Sequence, residues 1–259
     1  MSSKISNLTE SHLFEYLLRL GDDRLILGHR LSEWCGHGPI LEEDIALANV
    51  ALDCVGQAKS FLSLAGKVEN KGRTEDDLSY FREAVEFRNL QLLEQPNIDF
   101  AYTIARQFFY DVYSYFLYEE LSKSSFDELA GLAVKSLKEV KYHVRHSREW
   151  ILRLGDGTEE SHAKIQEAVN ERWRFTNELF EDDIVVESLS GEGVVVKNSN
   201  LKTSWNEFVT DTFEKATIVK PVNVIDYSKG SRIGNHSEYL GHLLAEMQIV
   251  ARSFPDAEW

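Results

Sequence analysis

The chain has 259 residues, of which 43% are hydrophobic and 27% charged, a balance that excludes disordered and collagen-like classes and suits a folded chain with a sizeable core. A formal charge of −15 repels phosphate backbones, so no nucleic-acid partner is expected. No apolar run approaches the ~20 residues that span a bilayer, and "MSSKISNLTESHLFEYLLRLGDD" lacks the apolar middle and small-residue cleavage site of a signal peptide, so a cytoplasmic chain without membrane contact is expected.

The first predicted helix covers about 9–35, with Gly36 and Gly38-Pro39 as stop signals. The second, "LEEDIALANVALDCVGQAKSFLSLAG", opens with acids that suit the helix dipole and closes at Gly66. Thr74 and Asp77 make an N-cap signature for a third helix, "EDDLSYFREAVEFRNLQLL". After "EQPNID" comes a fourth, "FAYTIARQFFYDVYSYFLYEEL", with an apolar stripe of Ala101, Ile104, Ala105, Phe108, Val112 and Phe116. A fifth covers about 125–154 with Leu129, Ala133, Val140, Val144 and Ile151 inward, and a sixth covers about 158–181, capped by Thr158. The β-branched, glycine-broken "DIVVESLSGEGVVVKNSN" reads as a loop or small hairpin. A helix at about 201–216, an irregular stretch at 219–235 and a last helix at about 236–253 complete the chain.

The four prolines fall beside breaks in the hydrophobic period, never inside a long periodic run. No fixed-period repeat or Pro/Gly-rich linker divides the chain, so the expectation is one all-α domain over 1–259, a helical bundle with long central helices and extra C-terminal ones. Cys35 and Cys54 would lie roughly 15 Å apart along antiparallel helices, too far for a disulfide; both are read as small core residues in a reducing compartment.

Several carboxylate–histidine pairs raise the question of a metal. A di-iron centre in a helical bundle needs Glu-x-x-His on two helices and one more carboxylate on each of two others. The Glu-x-x-His found here, Glu159–His162, opens a helix, where surface acids are ordinary. Glu139–His143, Glu33–His37 and Glu238–His242 are spaced by four, each without a matching second pair. Asp111 sits on the packed side of the fourth helix with no base one turn away, so its partner is expected from another helix; the alternatives are solvent or a tyrosine hydroxyl. Lys138, Lys141, Arg145 and Arg148 line one side of the fifth helix, a stripe that could face an acidic partner or a coenzyme phosphate and that more commonly is a solvated face. No nucleophile elbow, phosphate loop or dinucleotide fingerprint is present.

The segments "LRLGDDRLILGHRLSEWCGHGP", "IALANVALDCVGQAKSFLS", "EQPNIDFAYTIARQFFYD", "KEVKYHVRHSREWILRLGDGT", "ERWRFTNELF" and "LAEMQ", in order from about Leu13 to Trp259, resemble the C subunits of the bacterial ring-1,2-phenylacetyl-CoA epoxidases. The resemblance implies a ferritin-like fold. It implies a non-catalytic structural subunit that pairs with a paralogous catalytic A subunit, which holds the di-iron centre and converts phenylacetyl-CoA to the ring epoxide with O2 and NADPH in aerobic phenylacetate breakdown. A small B subunit and a reductase carrying FAD and an iron–sulfur cluster complete that system. No cofactor is then bound by this chain, which when alone could self-associate. The alternative is a di-iron oxygenase subunit active in its own right.

Residue by residue, the resemblance places Cys54 where the catalytic subunit's first Glu-x-x-His has its Glu, and Gln57 where it has its His. His143 matches the second ligand histidine, with Val140 at the position of its Glu; Asp111 matches a lone carboxylate ligand; the first-helix Glu falls near Arg24. With Asp111 and His143 alone surviving, the expectation is a lost, vestigial metal site and a direct Asp111–His143 bond in its place.

Overall fold

The computed structural model describes residues 7–222, 224 and 229–257. In chain order these form α1 (Asn7–Ser32), α2 (Leu41–Glu69), α3 (Glu75–Tyr80), α4 (Gln91–Glu94), α5 (Phe100–Leu121), α6 (Asp127–Gly155), α7 (Glu159–Trp173), α8 (Ile184–Gly191), α9 (Lys202–Lys215) and α10 (Glu238–Ser253). Short 3-10 turns join some of them, and there is no strand among the described residues. The all-α class expected from the sequence holds, and long paired helices are consistent with a ferritin-like bundle. The described residues divide into two compact units, one from 1–96 and 230–259, the other from 97–229.

In the first unit α1 and α2 form a hairpin whose axes lie close because glycines face the contact. A Cβ on Gly21 would fall 2.5 Å from Leu62 Cδ2, and one on Gly28 2.9 Å from Val55 Cγ2. Leu17, Ile26, Leu27 and Leu31 of α1 and Leu47, Val50, Phe61 and Leu62 of α2 are buried. The α2 helix ends on Asn70 in a left-handed conformation, its N–H bonding Gly66 O at 3.1 Å.

The single helix expected over 75–93 is not formed. Thr74 does cap α3, bonding the Asp77 N–H while Asp77 Oδ2 takes the Thr74 N–H at 2.7 Å. The helix then stops at Tyr80, and backbone N–H groups beyond it find side-chain acceptors on α1. Arg88 N donates to Asp22 Oδ2 at 2.8 Å and Leu90 N to Asp23 Oδ1 at 2.9 Å. Those carboxylates outcompete helical carbonyls, a tertiary override of local propensity. Asp22 also pairs with the buried Arg82, whose Nη1 donates to its Oδ2 at 3.0 Å, and Arg82 lies over the Phe87 ring at 4.3 Å.

The C-terminal segment returns to the same unit. Arg232, in the 3-10 turn Ser231–Ile233, places both Nη atoms 2.9 Å from the Asp23 carboxylate. Burial pushes the Asp23 carboxyl above its usual range, while Arg232 and Leu90 N–H work the other way. His236 sets its two ring nitrogens 2.5 Å from Glu94 Oε1 and 3.0 Å from Phe87 O, and Ser237 N donates to Glu94 Oε2 at 2.7 Å. Gln248 of α10 donates to Ser79 O at 3.2 Å and Arg82 O at 3.0 Å. The irregular stretch expected at 219–235 falls partly outside the described residues.

In the second unit α5 runs as expected, capped by Asp99, whose Oδ1 accepts from Tyr102 N at 3.0 Å. Its stripe is buried apart from the half-buried Phe116, and the inward stripe of α6 is buried throughout. An aromatic cluster of Phe109, Trp173, Trp205, Phe213 and Phe180 packs α5 against α7 and α9, and Trp205 Nε1 donates to Phe109 O at 2.9 Å. The α7 helix, capped by Thr158 as expected, ends at Trp173, eight residues short of the expected 181, and a 3-10 turn follows over Asn177–Phe180. The loop or hairpin expected at 183–200 is a helix over its first part, Ile184–Gly191, and is irregular from 192 until a 3-10 turn at Asn198–Leu201. Asp183 caps α8 by accepting from Val186 N at 3.1 Å, and Val185, Val186 and Leu189 turn inward.

Because Asp22 and Arg82 are both buried, replacing Arg82 leaves the Asp22 carboxylate with the Arg88 N–H and no opposing side-chain charge. Arg82→Met is expected to lower the unfolding free energy in a urea titration by about 3–5 kcal/mol. Thr74→Ala, which removes only a cap, is expected to cost about 1 kcal/mol.

Candidate functional site

The α1–α2 hairpin holds the first set of candidate positions. Cys54 is fully buried and Gln57 nearly so, both on the α2 face turned to the core. Arg24, with no exposed surface, brings Nη1 to 3.9 Å from Cys54 Sγ, a weak sulfur contact that places a guanidinium beside the thiol. Arg24 is buried because α1 is inward on all sides from Tyr16 to Gly28. Family likeness set a lost carboxylate near this residue; the contact with Cys54 is what the structure adds.

The α5–α6 pair holds the second set. Asp111 is buried, which removes the solvent alternative. Its partner comes from another helix, as expected: Ser147 Oγ of α6 lies 2.9 Å from Asp111 Oδ2. The same hydroxyl lies 2.9 Å from His143 O, the carbonyl four residues back that a helical serine commonly bonds, so its single proton is shared between that carbonyl and the carboxylate. Asp111 and the helical turn carrying His143 are therefore tied through Ser147. His143 is buried, its ring 6.3 Å from that of Tyr142. Val140, one turn before His143, is buried as apolar packing. Sequence reasoning missed Ser147 because a serine inside a helix carries no signal until the facing helix is known.

These donors do not fit a di-iron centre. Such a centre needs bridging carboxylates to balance at least four positive charges. Position 140 offers a hydrocarbon, position 57 an amide, and position 54 a thiol with a guanidinium against it. An arginine is a permanent cation with donors only, so beside a metal it adds repulsion and no ligand. Among the described residues no three His, Cys, Asp or Glu side chains group closely enough to hold a metal ion.

The other carboxylate–histidine pairs sit elsewhere. Glu159 is exposed, while His162 Nδ1 lies 2.7 Å from Gly155 O at the end of α6. Glu238 and His242 are exposed on α10, and so are Glu33 and His37 around the end of α1. Glu139 is half-buried, four residues before His143. The basic stripe divides. Lys138, Lys141 and Arg145 are exposed, with Arg145 over the Tyr142 ring at 5.5 Å. Arg148 is committed to α9, Nε donating to Thr212 Oγ1 at 3.2 Å and Nη2 standing 3.5 Å from Asp211 Oδ2. Cys35 is a correction to the core position expected for it: it is exposed beyond the end of α1, and it forms no disulfide with Cys54.

The family model described as "Phenylacetic acid catabolic protein" matches residues 1–259. The C subunit of the 1,2-phenylacetyl-CoA epoxidase of Escherichia coli (strain K12) is 45% identical over 249 residues, covering 96% of this chain and 100% of that protein. No helix among the described residues is long and apolar enough to cross a membrane.

Removing the Ser147 hydroxyl takes a hydrogen bond from a buried carboxylate. Ser147→Ala is expected to lower stability by about 1–3 kcal/mol in urea titration, with the helical circular dichroism of the native state unchanged.

Proposed function

The chain belongs to the phenylacetic acid catabolic protein family, and from that premise we propose that it is a non-catalytic structural subunit of a phenylacetyl-CoA epoxidase. In this reading it is a single ferritin-like domain. It pairs with and stabilises the di-iron catalytic A subunit, which converts phenylacetyl-CoA to the ring-1,2-epoxide with O2 and NADPH in aerobic phenylacetate catabolism. The remaining components are a small B subunit and a reductase that carries FAD and iron–sulfur chemistry. This chain binds no cofactor and works in the cytoplasm.

The observation that carries the reading is the buried guanidinium of Arg24 at 3.9 Å from Cys54 Sγ. Resemblance places metal-ligating carboxylates of the catalytic paralogue near the first of these positions and at the second. Here a fixed cation and a thiol occupy them, and Val140 fills a third ligand position with hydrocarbon. Each replacement favours packing over coordination. Asp111 and His143 remain, but Ser147 ties the turn that bears His143 to Asp111, which suits a helix contact and needs no metal. The work left to such a chain is to shape and hold its partner.

Two measurements test this. The chain purified from iron-supplied cells is expected to carry far less than one iron per molecule; near-stoichiometric iron would favour an active di-iron oxygenase instead. The catalytic subunit is expected to co-purify with this chain, and epoxidase turnover in the reconstituted system is expected to fall at least about tenfold, on the order of 1.4 kcal/mol, when the chain is left out.

A further inference from the structure

On α2, large apolar side chains point away from the core. Leu41 is 72% exposed, Ile45 53% and Leu52 69%, and Val55, at the edge of this face beside Gly28 of α1, is 40% exposed. With the half-buried Ala48 they recur at spacings of four, three, four and three, the a/d repeat of a coiled-coil seam. The seam runs along about 21 Å of helix. It lies opposite the buried face made by Leu47, Val50, Cys54 and Phe61, so α2 is apolar on both sides. A helix apolar all round is a buried helix. Within this chain its outer face is open.

Gly56 adds an independent observation. It interrupts the interior of α2 on the same outer face, where glycine costs a helix about 1 kcal/mol relative to alanine. Nothing within the chain requires it, because a Cβ there would meet no heavy atom within 4 Å. A glycine without an internal reason beside an apolar seam fits a backbone that must be approached closely from outside.

The acids around the seam choose the occupant. Glu42, Asp44 and Asp53 flank it, and on the outer face the first base is Lys59, beyond its end. Two copies paired antiparallel about Ala48 would set Glu42 and Asp44 of one helix opposite Asp53 of the other. Parallel pairing would set like against like, on molecules of formal charge −15 each. A helix with its own apolar seam and Lys or Arg flanks meets both requirements.

We propose that the outer face of α2, from Leu41 to Gly56, is the docking seam for a long helix of the catalytic subunit that presents apolar residues flanked by basic ones. The proposal rests on the pairing put forward under the proposed function and names the surface through which it acts.

The test uses the full chain and the full catalytic subunit, with affinity measured by isothermal titration calorimetry and assembly by size-exclusion chromatography. Ile45→Glu/Leu52→Glu places two carboxylates in the seam at exposed positions, so its thermal melt should match that of the wild type. Its Kd for the catalytic subunit should rise about 100-fold or more. Glu42→Lys should weaken pairing about tenfold and flatten its salt dependence. Val250→Glu/Phe254→Glu, the same change at exposed positions in and just beyond the end of α10, should leave Kd within about twofold. Unchanged affinity of the seam variant, with the wild type still pairing, overturns the seam and leaves the pairing intact. Loss of self-association by the seam variant with catalytic-subunit binding retained assigns the face to a second copy and also overturns it. Failure of the wild type to bind the catalytic subunit removes the pairing reading itself.

Discussion

Three consecutive charged residues of α1, Asp22, Asp23 and Arg24, are buried, and much of the first unit is organised around them. Successive helical residues point about 100° apart, so the three side chains leave the helix in three directions. Each must be satisfied where it lands, since a buried charge left alone is among the most costly defects a fold can carry. Asp22 takes Arg82 and the Arg88 N–H, Asp23 takes Arg232 and the Leu90 N–H, and Arg24 turns to Cys54 on α2. The broken helix between α3 and α4, the 3-10 turn at Arg232 and the core face of α2 are consequences of those demands.

The loss of metal chemistry proposed above would set the same demand on the rest of a ferritin-like frame. In a di-iron bundle, the metal charge offsets the mutual repulsion of the ligand carboxylates and lets them converge. Once the metal is lost, like charges facing inward must be replaced or paired. Here one position carries a guanidinium, one a valine and one a thiol, and Asp111 gains a hydroxyl from Ser147. The core stays polar at chosen points and apolar elsewhere, and the helices stay long and paired.

Much of this was legible in the sequence because long helices write their period and caps plainly. The span of α5, the caps at Thr74 and Thr158, the inward stripe of α6 and the separation of the two cysteines follow from spacing and local chemistry. The failures share one physical cause. The expected helix over 75–93 broke because acceptors on α1, more than sixty residues away, took its N–H groups. The first part of the segment at 183–200 became the helix α8, because the Asp183 cap and the inward Val185, Val186 and Leu189 outweighed its β-branched composition. Of the candidate site, Cys54, Gln57, Val140, Asp111 and His143 were identifiable from family likeness, whereas Ser147 and the Arg24–Cys54 contact depend on which helices meet. Such pairings are properties of the packed chain.

The ion pair between Asp23 and Arg232 joins residues 209 positions apart. The first unit is thus made of two separated lengths of chain, with the whole of α5 to α9 threaded between them. During synthesis α1, α2 and the α3–α4 segment emerge early, yet Asp23 waits for its guanidinium and Glu94 for His236 until nearly all of the chain has left the ribosome. The middle segment needs no such late arrival and can settle first. Non-local closure of this kind slows folding and leaves early helices with apolar faces uncovered. Until the returning segment arrives, the carboxylates of Asp23 on α1 and Glu94 on α4 are without the guanidinium and imidazole that complete them.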